Sequence, residues 1–500
     1  MKKDLLINIV ITASIGVLAF VVNRIFSEQL GQEALGLMSL LTGLLGYLNL
    51  ADLGIASASA YALYKPLSLD DNEQINIIVS TINTYYQRIA VIILVVGLLI
   101  GIFIPNIANT TSFGNSIYIY WFLYVLNTAW SYFYAKYTVL FTANQEYGFT
   151  RLVEGTSRVA ITLLQVCILL YTHSFLLFVL VLSFQNIINI YFYKKHYKKH
   201  YSYIRKVSTR DLSIFTNMKN MFWHKIGSLV VFSTDTILLA QFVSLRVVAI
   251  YSTYLIVYQM ILTIIGILTP VLTPRIGKFI ANHIKKDIYN YWKKLHIFYL
   301  YASIILVVVT YFTINPFVNL WMGEEYLLPS LTIFLLLINL FISIIRSMIE
   351  VFKVGSGFYD DIYNPILESI INLVISFILV QKMGLNGVII GTIASNIIII
   401  YFLKPLMVFL RCFDKTFMDF IKDYLYFILL SMSTIIISYF LVKYLYINFI
   451  AINWIMWMIL VIKILLTTFC VTTVIFLLDK HFRNLLKSIY LRSIKKYGRD

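Results

Sequence analysis

The sequence predicts an all-α integral membrane protein of about 14 transmembrane helices, built as two pseudo-two-fold six-helix lobes plus two C-terminal helices. Three observations carry that prediction. Hydrophobic residues make up 60% of the 500 residues and charged residues 13%, whereas a soluble chain averages about 45–50% and about 25%. Mean hydropathy is +0.83. The apolar residues fall in continuous runs of about 20, the length of one bilayer crossing, without the alternation of a transmembrane β-barrel. That much apolar surface cannot be hidden in water, which excludes soluble enzymes, nucleic-acid binders and secreted disulfide scaffolds as readings of the whole chain.

Taken in order, the predicted spans are 5–26, 35–58, 85–104, 117–140, 152–171, 175–193, 220–242, 248–272, 297–314, 327–350, 364–381, 387–403, 425–443 and 454–478. The first follows Lys2 and Lys3. It is too long for the core of a signal peptide, lacks a small-x-small cleavage site and precedes further spans, so it reads as a retained helix. Pro270 and Pro274 predict a bend near the inner end of the eighth. With the N-terminus inside, 29 of the 40 basic residues fall on the inner side, 20 of them in the runs Lys194 to Arg210, Arg275 to Lys294 and Lys480 to Arg499. Only Arg246, Lys382 and Lys443 lie outside. That asymmetry predicts cytoplasmic N- and C-termini. It also accounts for the net charge of +17: the basic runs face anionic headgroups, not nucleic acid.

The segments between spans are short. The longest inner one is 61–87, and no outer one can fold as a catalytic domain. No GxxxxGK[ST] sequence occurs, so no ATPase is built in. Cys167, Cys412 and Cys470 show no CxxC spacing, and the seven histidines include no HExxH and one HxxxH, His196 to His200, inside a basic run, so no metal site is predicted. The chemistry then belongs between helices, and the reading is a transporter, not an enzyme.

The two halves correspond at a near-constant offset of about 211–213 residues. Phe26 to Leu37 corresponds to Leu239 to Ile250. Pro105 and Pro316 each open the next outer loop, and the turn Thr172-His173-Ser174 matches Met383-Gly384-Leu385. The predicted organisation is a six-helix lobe over 1–194, a basic cytoplasmic linker over 195–212, a second six-helix lobe over 213–410, and two extra helices with a basic tail over 411–500. Both lobes begin inside, so the repeat is parallel, with a central cavity between lobes that can rock.

Several segments resemble one family. Asn23-Arg24 with Leu30-Gly31 and Ala34 to Leu37, Leu48 to Gly54, Ser233 to Leu238, Ile250-Tyr251-Ser252, Leu320 to Gly323 and Gly384 to Val388 are similar, in order and spacing, to polysaccharide flippases of the O-antigen (Wzx) type. Those belong to the multidrug/oligosaccharidyl-lipid/polysaccharide exporter superfamily. The resemblance implies translocation of an undecaprenyl-pyrophosphate-linked oligosaccharide from the inner to the outer leaflet of a bacterial cytoplasmic membrane, for O-antigen or capsule synthesis. It implies partners among membrane lipids, a polysaccharide polymerase and a chain-length regulator. An ion-coupled multidrug exporter of the same superfamily is the alternative, and a membrane glycosyltransferase or polymerase a more distant one.

Ionisable residues at membrane depth are costly and face a cavity or a partner. Ten are predicted there: Arg24, Arg158, Lys225, Arg346 and Lys463 against Asp52, Glu154, Asp235, Glu350 and Glu368. The balance of signs argues against a plainly cationic funnel. Glu154/Arg158 and Arg346/Glu350 are i,i+4 pairs. Their plain reading is mutual neutralisation. Their functional reading is a cytoplasm-facing vestibule whose arginines meet pyrophosphate through a bidentate fork. Lys225 has no carboxylate one turn away and is the third candidate for substrate binding, against snorkelling to the interface. Arg24 and Asp235 sit toward the outer ends of equivalent helices and are candidates for an outer gate. Glu154, Glu350 and, first among them, Asp235 are candidates for gating or for coupling to H+ or Na+. No other cofactor is expected. Asp52 and Glu368 read as interfacial, and Lys463 as structural. The abundant aromatics, 37 Tyr and 36 Phe, read first as interfacial belts.

Overall fold

The computed structural model describes residues 2–49, 55–211, 234–358, 361 and 363–487. Asp52, Lys225, most of the predicted span 220–242 and the end of the basic tail lie outside the described residues. Among the described residues every regular element is helical, as predicted.

The first helix, α1 (Lys2–Leu48), contains non-helical backbone at Gly31, with φ 85° and ψ 170°. It is two helices joined at a kink, the first two predicted crossings, and glycine takes that φ without strain. α2 (Ile55–Ser68) and α3 (Asn72–Ala108) follow. The predicted inner segment 61–87 is therefore almost wholly helical. Asp71 caps α3 by accepting the Gln74 N–H at 3.1 Å, and the polar first turns continue the helix beyond the apolar stretch. Next come α4 (Ser116–Tyr132), α5 (Ala135–Ala143), α6 (Tyr147–Thr172) and α7 (Phe175–His200). Of α8, residues 234–242 are described. α9 (Leu245–Gly266) breaks into α10 (Thr269–Asn282), with Pro270 in the first turn of α10 and Pro274 inside it. This is the predicted bend. α11 (Lys285–Met322), α12 (Ser330–Gly355), α13 (Tyr363–Met383) and α14 (Leu385–Ser395) follow. A π-helical segment, Asn396–Leu403, runs into α15 (Lys404–Cys412). α16 (Phe417–Tyr446) and α17 (Trp454–Phe476) complete the long helices.

Eleven helical stretches among the described residues are long and apolar enough to cross a membrane. The predicted 14 differ from that number for three local reasons. α1 holds two crossings in one stretch, α4 stops at 17 residues, and α8 is described only in part. Two placements need correction. Pro105 and Pro316 do not open loops; they lie inside α3 and α11, close enough to the C-terminal end for the helix to absorb a missing N–H bond. The matched turns hold: His173 (φ 48°) and Gly384 (φ 55°) each reverse the chain into the next helix.

The described contacts divide the chain into two compact units, Met1–Ser252 with Val380–Leu385, and Thr253–Leu379 with Asn386–Asp500. In the first, α3 and α4 touch at Gly97 and Gly101, where an added Cβ would stand 2.4 Å from Val125 and 2.9 Å from Trp121. Trp121 Nε1 donates to the Gly97 carbonyl at 2.6 Å. Small residues four apart let two helices approach in lipid, where no hydrophobic force drives them together. α1 meets α6 at Gly155, which lies against Ile11. After α7 the chain runs as a strap, residues 201–211, along α3. The strap N–H groups of Arg205, Val207 and Asp211 donate to Asn76 Oδ1 (2.7 Å), Ser80 Oγ (3.1 Å) and Thr81 Oγ1 (3.1 Å), and Arg210 Nε donates to Thr84 Oγ1 (3.1 Å). In the second unit α11 is central. Its fully buried Trp292 packs against Phe352 and Phe413 at 4.8 and 5.5 Å, and α12, α16 and α17 gather around it.

Candidate functional site

In the second unit, α12 presents Arg346, Glu350 and Lys353 on one face, at i, i+4 and i+7. Each finds a partner on another segment. Arg346 Nη1 donates to Glu368 Oε1 of α13 at 3.0 Å. Lys404 Nζ of α15 donates to Glu350 Oε1 at 2.7 Å, with Lys353 Nζ 3.6 Å from Glu350 Oε2. Lys353 Nζ is also 2.7 Å from Asp361 Oδ1. Three cations thus meet three anions. The side chains of Lys404, Lys353, Asp361 and Glu368 are at most 6% exposed, while Arg346 and Glu350 keep 26% and 28%. Unpaired charge in so dry a place would cost several kcal/mol per ion; Lys353 and Asp361 neutralise each other, while buried Glu368 and Lys404 are neutralised by Arg346 and Glu350, which form the more open edge of the network.

The turns of α12 just before this network line an apolar cavity of about 800 Å³ in the same unit, with Leu337, Phe341 and Ile342 on one wall and Tyr311, Met432 and Tyr439 opposite. The π-helical segment repeats that order: Ile397 and Tyr401 line the cavity, and Lys404 joins the charges. Apolar space and a charged cluster therefore adjoin along two separate segments.

In the first unit, Tyr193 of α7 donates to Glu154 of α6 at 2.9 Å. A row of buried polar side chains then locks α4, α6 and α7. Ser157 donates to Asn189 (2.7 Å), Asn189 to Tyr134 (3.3 Å), Tyr134 to Asn186 (3.0 Å) and Asn186 to Asn127 (2.6 Å). Arg151 bonds Asn8 and Thr12 of α1, both at 2.9 Å. At the end of α7, Glu146 accepts from Tyr201 at 2.9 Å and meets His196 at 2.7 Å. Burial, reinforced by the Glu146 carboxylate, raises the Tyr201 phenol above its ordinary pKa.

The predicted i,i+4 pairs do not close. Arg346 and Glu350 each turn to another helix, and Glu154 takes the Tyr193 hydroxyl while Arg158 is exposed, with no ion pair among the described residues. Helical spacing allows such a pair but does not compel it where a neighbouring helix offers a better-placed partner. Glu368 is the buried partner of Arg346. Arg24 pairs with Glu28 at 2.8 Å, both about half exposed. Asp235 is 4% exposed and accepts from Tyr251 Oη at 2.9 Å. Lys463 lies over the Phe449 ring at 4.9 Å. Sequence reading missed Lys353, Asp361 and Lys404. Lys353 had a visible signal, three residues after Glu350. Lys404 had none, because it lies 54 residues along the chain from Glu350, beyond a π-helical segment. Among the described residues no three His, Cys, Asp or Glu side chains gather as a metal site.

The fold is an all-helical one shared with solved flippase and multidrug-transporter structures. It is similar to the solved structure of the lipid II flippase MurJ in an inward closed conformation, with TM-score 0.71, 16% identity, and 96% of this chain and 100% of that one covered. It is also similar to an inward-facing multidrug resistance MATE family transporter, with TM-score 0.59, 13% identity, and 79% and 94% covered. No curated protein sequence matches the chain. The model of the polysaccharide biosynthesis protein family matches residues 1–280, and the chain belongs to that family. It is an integral membrane protein.

Proposed function

We propose that this protein is the flippase that carries undecaprenyl-pyrophosphate-linked oligosaccharide from the inner to the outer leaflet of the bacterial cytoplasmic membrane, by alternating access, for O-antigen or capsule assembly. The observation that carries the reading is the junction on α12, where an apolar cavity gives way within one turn to Arg346, Glu350 and Lys353. A substrate with a long hydrocarbon tail and a doubly charged linkage needs those two environments side by side. Arg346 keeps donor capacity beyond its bond to Glu368, and the exposed Arg158 is a second guanidinium suited to pyrophosphate. Lys225, outside the described residues, completes the proposed substrate contacts. Asp235 is proposed as the group coupling transport to H+ or Na+, Glu154 and Glu350 as supporting it, and Arg24 with Asp235 as an outer gate. Both termini are proposed to be cytoplasmic, with a polymerase and a chain-length regulator as downstream partners. The same architecture in a multidrug transporter favours drug export as the second reading.

A deletion strain without a redundant flippase tests the two. Surface polysaccharide should disappear and lipid-linked units accumulate, with drug susceptibility unchanged. Normal surface polymer would overturn the flippase reading, and increased drug sensitivity would favour the second. Arg158→Ala should then reduce export at unchanged protein level, because it breaks no ion pair among the described residues.

A further inference from the structure

The span formed by α9 and α10 carries a polar face that stays exposed. Between Leu255 and Leu268 the only polar side chains are Tyr258, Gln259 and Thr263. Tyr258 turns to α12, where its hydroxyl meets Ser343 Oγ at 2.8 Å. Gln259 and Thr263 are exposed. The Gln259 side-chain amide has no partner among the described residues. Thr263 Oγ1 donates to the Gln259 carbonyl at 2.8 Å, which leaves its lone pairs open. Gly266 completes the face: at about 100° per residue, positions 259, 263 and 266 fall within roughly 60° of arc. No atom lies within 4 Å of where a Gly266 Cβ would stand, so the backbone there is uncovered. Its carbonyl is open too. Pro270, one turn on, has no N–H to offer, and the N–H groups of Ile267 and Leu268 turn back to Ile264 and Ile265 at 3.4 and 3.1 Å.

Depth gives this face its meaning. Gln259 lies about 21 Å along the helix from Leu245, well inside a hydrocarbon core about 30 Å thick. A side-chain amide turned to lipid there would cost several kcal/mol, so the face borders a polar space. It offers chiefly acceptors, Gln259 Oε1, Thr263 Oγ1 and the Gly266 carbonyl, with the Gln259 amide as donor. Sugar hydroxyls match that set. The Tyr258–Ser343 bond registers α9 against α12 one turn before Arg346, and farther along Gly277 of α10 lies against Gly355 of α12, its added Cβ 3.1 Å from that carbonyl. The polar face therefore runs beside the helix whose Arg346 is assigned to the pyrophosphate. We propose that Gln259, Thr263 and the Gly266 carbonyl bind the sugar hydroxyls of the translocated oligosaccharide, an inference that rests on the flippase reading.

The test uses the full chain in detergent with two ligands, binding being followed by thermophoresis. One is the lipid-linked oligosaccharide extracted from the deletion strain. The other is undecaprenyl pyrophosphate, which has the same tail and linkage without sugars. The parent should bind the first about tenfold tighter. Gln259→Leu/Thr263→Val should remove that advantage, about tenfold in affinity, and leave undecaprenyl pyrophosphate binding unchanged. Gly266→Leu, which covers the open carbonyl with a better helix former, should act the same way without loss of fold. Arg346→Ala should weaken both ligands, and Met260→Leu, off the polar face, should weaken neither. Every variant should elute as a single species by size exclusion. A parent that binds the two ligands equally, or variants that bind the oligosaccharide lipid like the parent or lose both ligands alike, would overturn the sugar face and leave the flippase reading standing. A parent that binds neither ligand would overturn the flippase reading and the sugar face with it.

Discussion

The Glu350–Lys404 bond shows what a buried charge requires. Lys404→Met removes its 2.7 Å partner, leaving Glu350 with Lys353 at 3.6 Å and a partial opening. Breaking a fully buried pair costs about 3–5 kcal/mol. Because Glu350 keeps a second cation and some exposure, a loss of about 1–3 kcal/mol is expected, read as a lower midpoint of thermal unfolding in detergent. Glu350→Gln/Lys404→Met should recover most of it, since neither remaining group is charged. A double variant as unstable as the sum of the singles would show that the two do not act as a pair. At this scale the sequence was only half legible. Arg346, Glu350 and Glu154 stood out because charge is rare in apolar runs, but their partners Glu368, Lys404 and Tyr193 come from other helices, and spacing along one helix carries no information about them.

Among the elements, crossings were legible wherever an apolar run ended in a strong turn signal, as at His173 with Ser174 and at Gly384. They were misread where helices run on into water, as in the first turns of α3 and of α11, because hydropathy measures the bilayer and not the helix. The strap was read as a basic linker; what holds it is a polar stripe of Asn76, Ser80 and Thr84 spaced one turn apart, too common a pattern to single out. Each such hydrogen bond is worth about 1 kcal/mol. Asn76→Ala/Ser80→Ala should therefore raise the open population of the strap roughly thirtyfold. Limited trypsin digestion at Arg205 and Lys206 should accelerate accordingly, while an unchanged cleavage rate would mean that the strap is held by other contacts. The π-helical segment makes a further prediction. Deleting one residue within Asn396–Leu403 shifts the register of everything after it by roughly a quarter turn and moves Lys404 off Glu350, so the deletion should be far more damaging than Ile398→Ala at the same place. Comparing the two by protein level and melting midpoint checks it.

For the whole molecule, composition was enough to give the class, and order and spacing of weak motifs gave the family, but neither could give the arrangement of contacts. The inside-positive reading makes a prediction at this scale: alkaline phosphatase fused after Phe113 should be active, and after Arg205 inactive, the reverse result inverting the topology. The make-up of the first unit has a consequence in time. Its closing segment, Val380–Leu385, where Gly384 lies against Val243, leaves the ribosome about 130 residues after Ser252. At about 5–20 residues per second, that is a wait of roughly 6–26 s. For that interval the helices before Ser252 are already in the bilayer without the last piece of their own unit. The order of synthesis therefore does not match the order of assembly. A nascent chain stalled just before Val380 carries an unfinished first unit, exposed to quality control at the moment when most of its crossings have been made.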